Sequence, residues 1–122
     1  MITMELKFAA ATKPGPVSVS IKRRLRLVQR LDQQIGYCDE MKMGRMPRAC
    51  WAWMDQAGTY FVPIKYGRQQ LELKKGMFSI QCKDVAEVEG ALTAVKAMAL
   101  KGDFDEQLAK ASTEIRKRFS GG

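Results

Sequence analysis

The stretch SIKRRLRLVQRLDQQI, residues 20–35, sets five basic side chains between Lys22 and Arg30 before turning mildly acidic. Guanidinium groups are planar forks that match phosphate and carboxylate oxygens two at a time, so such a run is chemistry aimed at an anion. At about 100° per residue, Ile21, Leu25, Val28, Leu31, Ile35 and Cys38 share one helical stripe. Lys22, Arg23, Arg26 and Arg30 gather on the opposite side. Arg24 falls nearer the apolar border, where its stem is expected to lie over the core edge. The positive residues come early in this helix and Asp39 and Glu40 come late, an order that opposes the macrodipole. That order costs helix stability, which points to a gain elsewhere.

Four further cations sit in or beside turns: Arg45 and Arg48 in MKMGRMPR, Lys65 and Arg68 in IKYGRQ. Glycine beside them lets a backbone N–H approach an anion. The bland reading of every such residue is a solvated surface, and singly that reading wins. The whole-chain excess changes the balance: 21 Lys and Arg against 13 Asp and Glu leave +8 on 122 residues. A field of that sign draws nucleic acid, an anionic membrane or an acidic protein surface.

Other chemistry is thin. The chain has no histidine, so Ser-His and Cys-His pairs are excluded. Cys38, Cys50 and Cys82 are widely spaced with no CxxC pair, which leaves no zinc ligand set and reads as three mostly buried thiols in a reducing compartment. Asp103, Asp105 and Glu106 cluster at a helix start, where capping explains them. No phosphate-cradling, dinucleotide-binding or metalloprotease motif occurs. The expectation is a non-enzyme with no cofactor and no metal.

Aromatic residues could add base stacking: Trp51, Trp53, Tyr60, Phe61, Tyr66 and Phe78 lie among basic neighbours, and a stacked base contributes roughly 1–3 kcal/mol. An aromatic also buries a large area, so at least one of Trp51 and Trp53 is expected in the core. The methionines of EMKMGRM are either an adaptable contact surface or fillers at a helix end, and filling is the simpler reading.

The elements that position these residues can be read in order. Residues 1–16 form an extended arm ending in KPGP, which forbids helix there. The remainder, 17–122, is expected as a single α+β domain: a long N-terminal helix, a four-stranded antiparallel meander and two C-terminal helices. The first helix runs from about Val17 to Met43, capped by Ser18 or Ser20 and ended at Gly44, and it is open whether Gly36 interrupts it. RACWAWMD, TYFVPIKY, QLELKK and MFSIQCK read as strands, with two-residue turns at Gly67-Arg68 and Lys75-Gly76. Pro63 cannot donate to a ladder, so its strand is expected at an edge or with a bulge. One sheet face packs beneath the helices through Leu71, Leu73, Phe78, Ile80 and Cys82. The other shows Lys65, Gln70, Glu72, Lys74, Gln81 and Lys83. Asp84 with Glu87, and Asp103 with Glu106, open the last two helices as capping boxes. Their stripes are Val85, Val88, Leu92, Val95 and Ala99, then Phe104, Leu108, Ala111, Ile115 and Phe119, with Arg116, Lys117 and Arg118 closing the last turn.

Together LKF (6–8), RRLRLVQRLDQQI (23–35), YGRQQLELKKG (66–76) and ALKGDFDEQL (99–108) resemble, in that order, a family of small proteins of unknown function from proteobacteria, their phages and mobile elements. The resemblance covers about residues 5–119, with a shorter stretch between Tyr37 and Trp51 than the family pattern has. It implies a bacterial or phage accessory protein in the cytoplasm and carries no functional residue. With no apolar run long enough for a membrane span and no secretory leader in MITMELKFAAATKPGP, a cytoplasmic location is the expectation.

Two functions follow from these readings. One is a non-catalytic protein gripping DNA or RNA backbones through Lys22, Arg23, Arg26 and Arg30, helped by Arg45, Arg48, Lys65 and Arg68. If it meets about six phosphates, affinity drops roughly a thousandfold between 50 and 200 mM salt. The other is a small protein that binds and inhibits or redirects a host protein through positive charge and a Met-rich edge. A homodimer is compatible with either.

Overall fold

The computed structural model describes residues 6, 8–10 and 18–120, with side chains described as far as Thr113. Most of the expected arm falls outside the described residues, as do the side chains of Ile115, Arg116, Lys117, Arg118 and Phe119. The fold is α+β.

Helix α1 spans Val19–Lys42 without interruption at Gly36. Its cap is Ser18, whose hydroxyl accepts from the Ile21 N–H at 3.3 Å. At its other end Gly44 takes φ 85°, and the Arg45 and Gly44 N–H groups return to the carbonyls of Glu40 and Met41. This closure satisfies the last orphan acceptors and needs a left-handed residue, which glycine supplies. The buried stripe is Leu27, Leu31, Gln34, Cys38 and Met41. It is rotated by roughly a quarter-turn from the apolar stripe expected above. Ile21 and Leu25 are exposed at 42% and 52%, while Val28 and Ile35 only border the core. The rotation has a cause that counting apolar residues misses. Gln34 is 4% exposed, yet its amide is engaged at both ends: Nε2 donates to the Ala49 carbonyl at 3.0 Å and Oε1 accepts from the Trp51 N–H at 2.7 Å. A polar residue so satisfied can occupy the centre of the buried face.

The strands are short: β1 Trp53–Met54, β2 Tyr60–Pro63, β3 Lys65–Tyr66, β4 Gln69–Gln70 and β5 Ser79–Cys82. They make two antiparallel sheets, β1-β2-β5 and β3-β4, in place of the expected meander. The run TYFVPIKY divides at its proline. Up to Pro63 it pairs with β5, and beyond Ile64 it pairs with β4 as a hairpin around Gly67-Arg68. Gly67 comes first in that turn at φ 63°, as a two-residue hairpin turn requires. Pro63 ends the central strand, not an edge one; β1 has run out by that register, so no donor is missed. Phe78 is 41% exposed and outside the core: it lies one residue before the β2-β5 pairing begins at Ser79 and lines a shallow surface groove with Gln107 and Lys110. Leu71 and Cys82 are buried, and Leu73 and Ile80 pack against the core as expected.

Helix α2, Val85–Lys101, starts at Asp84, which accepts from the Glu87 N–H, and ends at Gly102 in the left-handed region. It runs antiparallel to α1, tied by Lys42–Glu89 at 2.9 Å and Asp32–Lys96 at 2.7 Å. Helix α3, Asp105–Ser120, begins one residue later than a cap at Asp103 would place it. Buried Phe104 stands before its first turn instead, and Asp105 is engaged with Arg24. Gln107 fixes α3 to the segment after β4, accepting from the Glu72 N–H and donating to the Glu72 carbonyl at 2.7 and 2.8 Å. Leu27, Leu31, Val62, Ile64, Leu92 and Leu108 fill the common core.

Candidate nucleic-acid interface

The N-terminal half of α1 forms one wall of a groove of about 950 Å³. Lys22, Arg23, Arg26 and Arg30 all line it, with Val19, Gln29 and Gln33 from the same helix. The facing wall is Tyr66 and Gly67 of the β3-β4 hairpin, with Ser112 of α3. Four of the eight cations singled out from sequence therefore share one cavity. Their helical spacing does this locally: Arg26 follows Arg23 by three residues, and Arg30 follows by four, so they rise along one flank at about 5 Å steps.

Charge pairing separates these four from the rest of the helix. Arg24 is clamped by Asp105: Nε donates to Oδ1 at 2.8 Å and Nη2 to Oδ2 at 2.5 Å. The hydrogen bonds raise the Arg24 pKa and hold the Asp105 carboxyl below its ordinary value. Gly102 leaves room for that clamp. A Cβ there would stand 2.6 Å from Arg24 Nη2, at a φ of +91°. Among the described residues, Lys22, Arg23, Arg26 and Arg30 have no carboxylate within salt-bridge distance. Arg30 donates to Gln33 Oε1 at 3.4 Å, and Gln33 Nε2 donates to the Tyr37 hydroxyl at 3.0 Å. That chain steadies Arg30 without neutralising it. The groove thus concentrates positive charge between low-dielectric walls, the arrangement that focuses a field on an incoming anion.

The other four cations are dispersed. Arg68 is exposed in the hairpin turn beside groove-lining Gly67, so it stands at the rim. Lys65 is half-buried in β3 and is not among the groove residues. Arg45 and Arg48 lie in the loop beyond the far end of α1, which is about 18 Å along the axis from Arg30 at Lys42 alone. The sequence reading passed over Gln29 and Gln33, although extending the Arg26–Arg30 face by one turn finds both. Tyr66 stands out in the sequence as an aromatic and Gly67 as a turn glycine, but nothing there places either of them, or Ser112, opposite α1; only folding does.

Trp51 packs half-buried against the core, whereas Trp53 is 50% exposed and stacks on Phe61 at 4.7 Å between ring centroids. The pair lies cross-strand on β1 and β2. Tyr66 is buried, so it shapes the groove and offers no open ring face. Cys38, Cys50 and Cys82 are free thiols. Burial pushes Cys38 up to about 11 and raises the other two, so none is a ready nucleophile. Among the described residues no cluster of His, Cys, Asp and Glu is arranged for a metal ion, and no helix is long and apolar enough to cross a membrane.

No protein-family model, curated protein or solved structure matches the chain.

Proposed function

We propose that this protein binds nucleic acid without catalysis, as an accessory protein of phage or mobile-element type working in the bacterial cytoplasm. The observation that carries the reading is the set of four cations lining one groove with no carboxylate partner among the described residues. A structural surface tends to balance its charges; a phosphate grip leaves its charges unbalanced until ligand arrives, and binding then releases counterions from the polyanion. Because four cations converge rather than eight, the salt dependence expected is gentler than six phosphates would give. Contact with about four phosphates lowers affinity roughly 50- to 150-fold between 50 and 200 mM salt. Fluorescence anisotropy with labelled oligonucleotides tests this directly, using the Arg26→Glu/Arg30→Glu double variant. Binding that survives that change would remove the groove from consideration.

A second reading has its own observation. Met43 and Met46 are exposed at 82% and 46% beside Arg45, while Met41 fills the core at 5%. This basic, adaptable apolar edge suits an acidic host-protein surface. It predicts no affinity for oligonucleotides even at low salt.

A further inference from the structure

We infer that the groove takes one unpaired strand of nucleic acid rather than a duplex, with successive phosphates on Arg23, Arg26 and Arg30. The inference rests on the nucleic-acid reading above and adds the form of the ligand. Three features carry it. First, the cations form a single line on one flank of one helix, rising about 10 Å from Arg23 to Arg30. A duplex presents two phosphate tracks flanking a groove, about 12 Å apart across the major one and about 6 Å across the minor. Its binder therefore needs cations on two ridges. Among the described residues the facing wall has no cation in its lining and a single one, Arg68, at its rim, which makes no second row; Arg45 and Arg48 lie beyond the opposite end of α1.

Second, the cationic flank is recessed. It faces Tyr66, Gly67 and Ser112 across a concavity, whereas a helix that reads duplex DNA stands proud so that it can enter the major groove. A cavity of about 950 Å³ is at the upper end of small-ligand sites. It has room for a few nucleotides of one strand and none for a double helix. A positive channel that follows one backbone is the common device of single-strand binders.

Third, the groove offers more than charge. Gln29 lies between Arg26 and Arg30 on the lining, and its amide has no hydrogen-bond partner among the described residues. An amide can donate to or accept from a base edge or sugar, and those edges are free only in an unpaired strand.

The test is a titration of the whole protein against a 12-nucleotide oligo-dT, the matching oligo-U and a 12-base-pair duplex, at 50 and 200 mM salt. The expected result is that one of the single strands binds at least about fivefold tighter than the duplex. Its log-affinity should fall with log-salt at a slope of about −2 to −3, the value for three to four phosphates on a single strand. Arg26→Glu/Arg30→Glu weakens that binding about 100-fold at 50 mM salt, and Arg45→Glu/Arg48→Glu leaves it within about twofold. A preference below fivefold, or a preference for duplex, with the Arg26/Arg30 dependence intact, overturns the single-strand inference while leaving nucleic-acid binding standing. Loss of strand binding in the Arg45/Arg48 variant equal to that in the groove variant also overturns it, since the strand is then not confined to the groove. Absence of binding to all three probes, or indifference to Arg26 and Arg30, overturns the nucleic-acid reading itself.

Discussion

The two halves of α1 are put to different use, and their charge differs with it: the first carries five basic residues and no acidic one, the second one basic and three acidic. From Asp32 onward the helix is committed to the fold: Asp32 meets Lys96, Lys42 meets Glu89, Gln34 holds the Ala49–Trp51 backbone, and Gly44 closes the end. From Lys22 to Arg30 a single cation, Arg24, is paired with a carboxylate among the described residues, and the other four basic groups face a groove. Composition alone cannot distinguish an arginine that braces from one that waits for a ligand. The presence or absence of a carboxylate opposite it can, and that partner is 81 residues away in sequence for Arg24.

The contrast can be broken by variants that strike one half and spare the other. The largest effect is expected from Gln34→Ala. It leaves the Trp51 N–H and Ala49 carbonyl without partners in a buried site, at about 1–3 kcal/mol for each group. Urea unfolding should show a loss of about 2–4 kcal/mol, while oligonucleotide affinity of the folded protein stays unchanged. Next comes the reverse experiment. Arg26→Glu/Arg30→Glu should weaken binding about 100-fold at 50 mM salt with the thermal midpoint held, because both side chains are exposed. If both variants lost stability and binding together, the division of α1 into two roles would be wrong.

Smaller changes sharpen the boundary at Arg24. Gly102→Ala forces a left-handed backbone on a residue with a Cβ and drives that carbon against the Arg24 guanidinium. A loss of about 1–2 kcal/mol in chemical denaturation is expected from the backbone alone. Asp105→Asn should act through pH. The Asp105 carboxyl titrates below its ordinary value when folded, so it contributes stability above the unfolded-state pKa of 3.8, and that contribution fades as pH falls through the folded value. The variant should be less stable at neutral pH and should lose that share of the acid-limb slope in melts between pH 2 and 5. An unchanged slope would mean Arg24 gains nothing from its partner, and its contrast with Arg26 would collapse.

Much of the local structure was legible in the residues themselves. The cap at Ser18, the stop at Gly44, the α2 start at Asp84 with its stripe from Val88 to Ala99, and the turn glycines Gly67 and Gly76 all follow from preferences that act within about five residues. So does the clustering of Lys22, Arg23, Arg26 and Arg30 on one helical flank, since 3.6-residue periodicity needs no tertiary partner. Phe104 and Asp105 displaced the start of α3 because one is needed in the core and the other by Arg24, demands that no capping rule contains.

The long first helix, the two that follow α+β fashion after short strands, and the position of the cationic face are thus properties of the sequence by itself. Tertiary structure alone decided the quarter-turn rotation of the buried stripe, the pairing of β2 with β5 across an intervening hairpin, and the wall of Tyr66, Gly67 and Ser112 that makes a groove of a helix surface. It also decided which arginine is neutralised. The physical reason is range: capping and periodicity are energies between near neighbours in the chain, whereas rotation, strand order and charge pairing depend on contacts between segments whose meeting is set by the whole core.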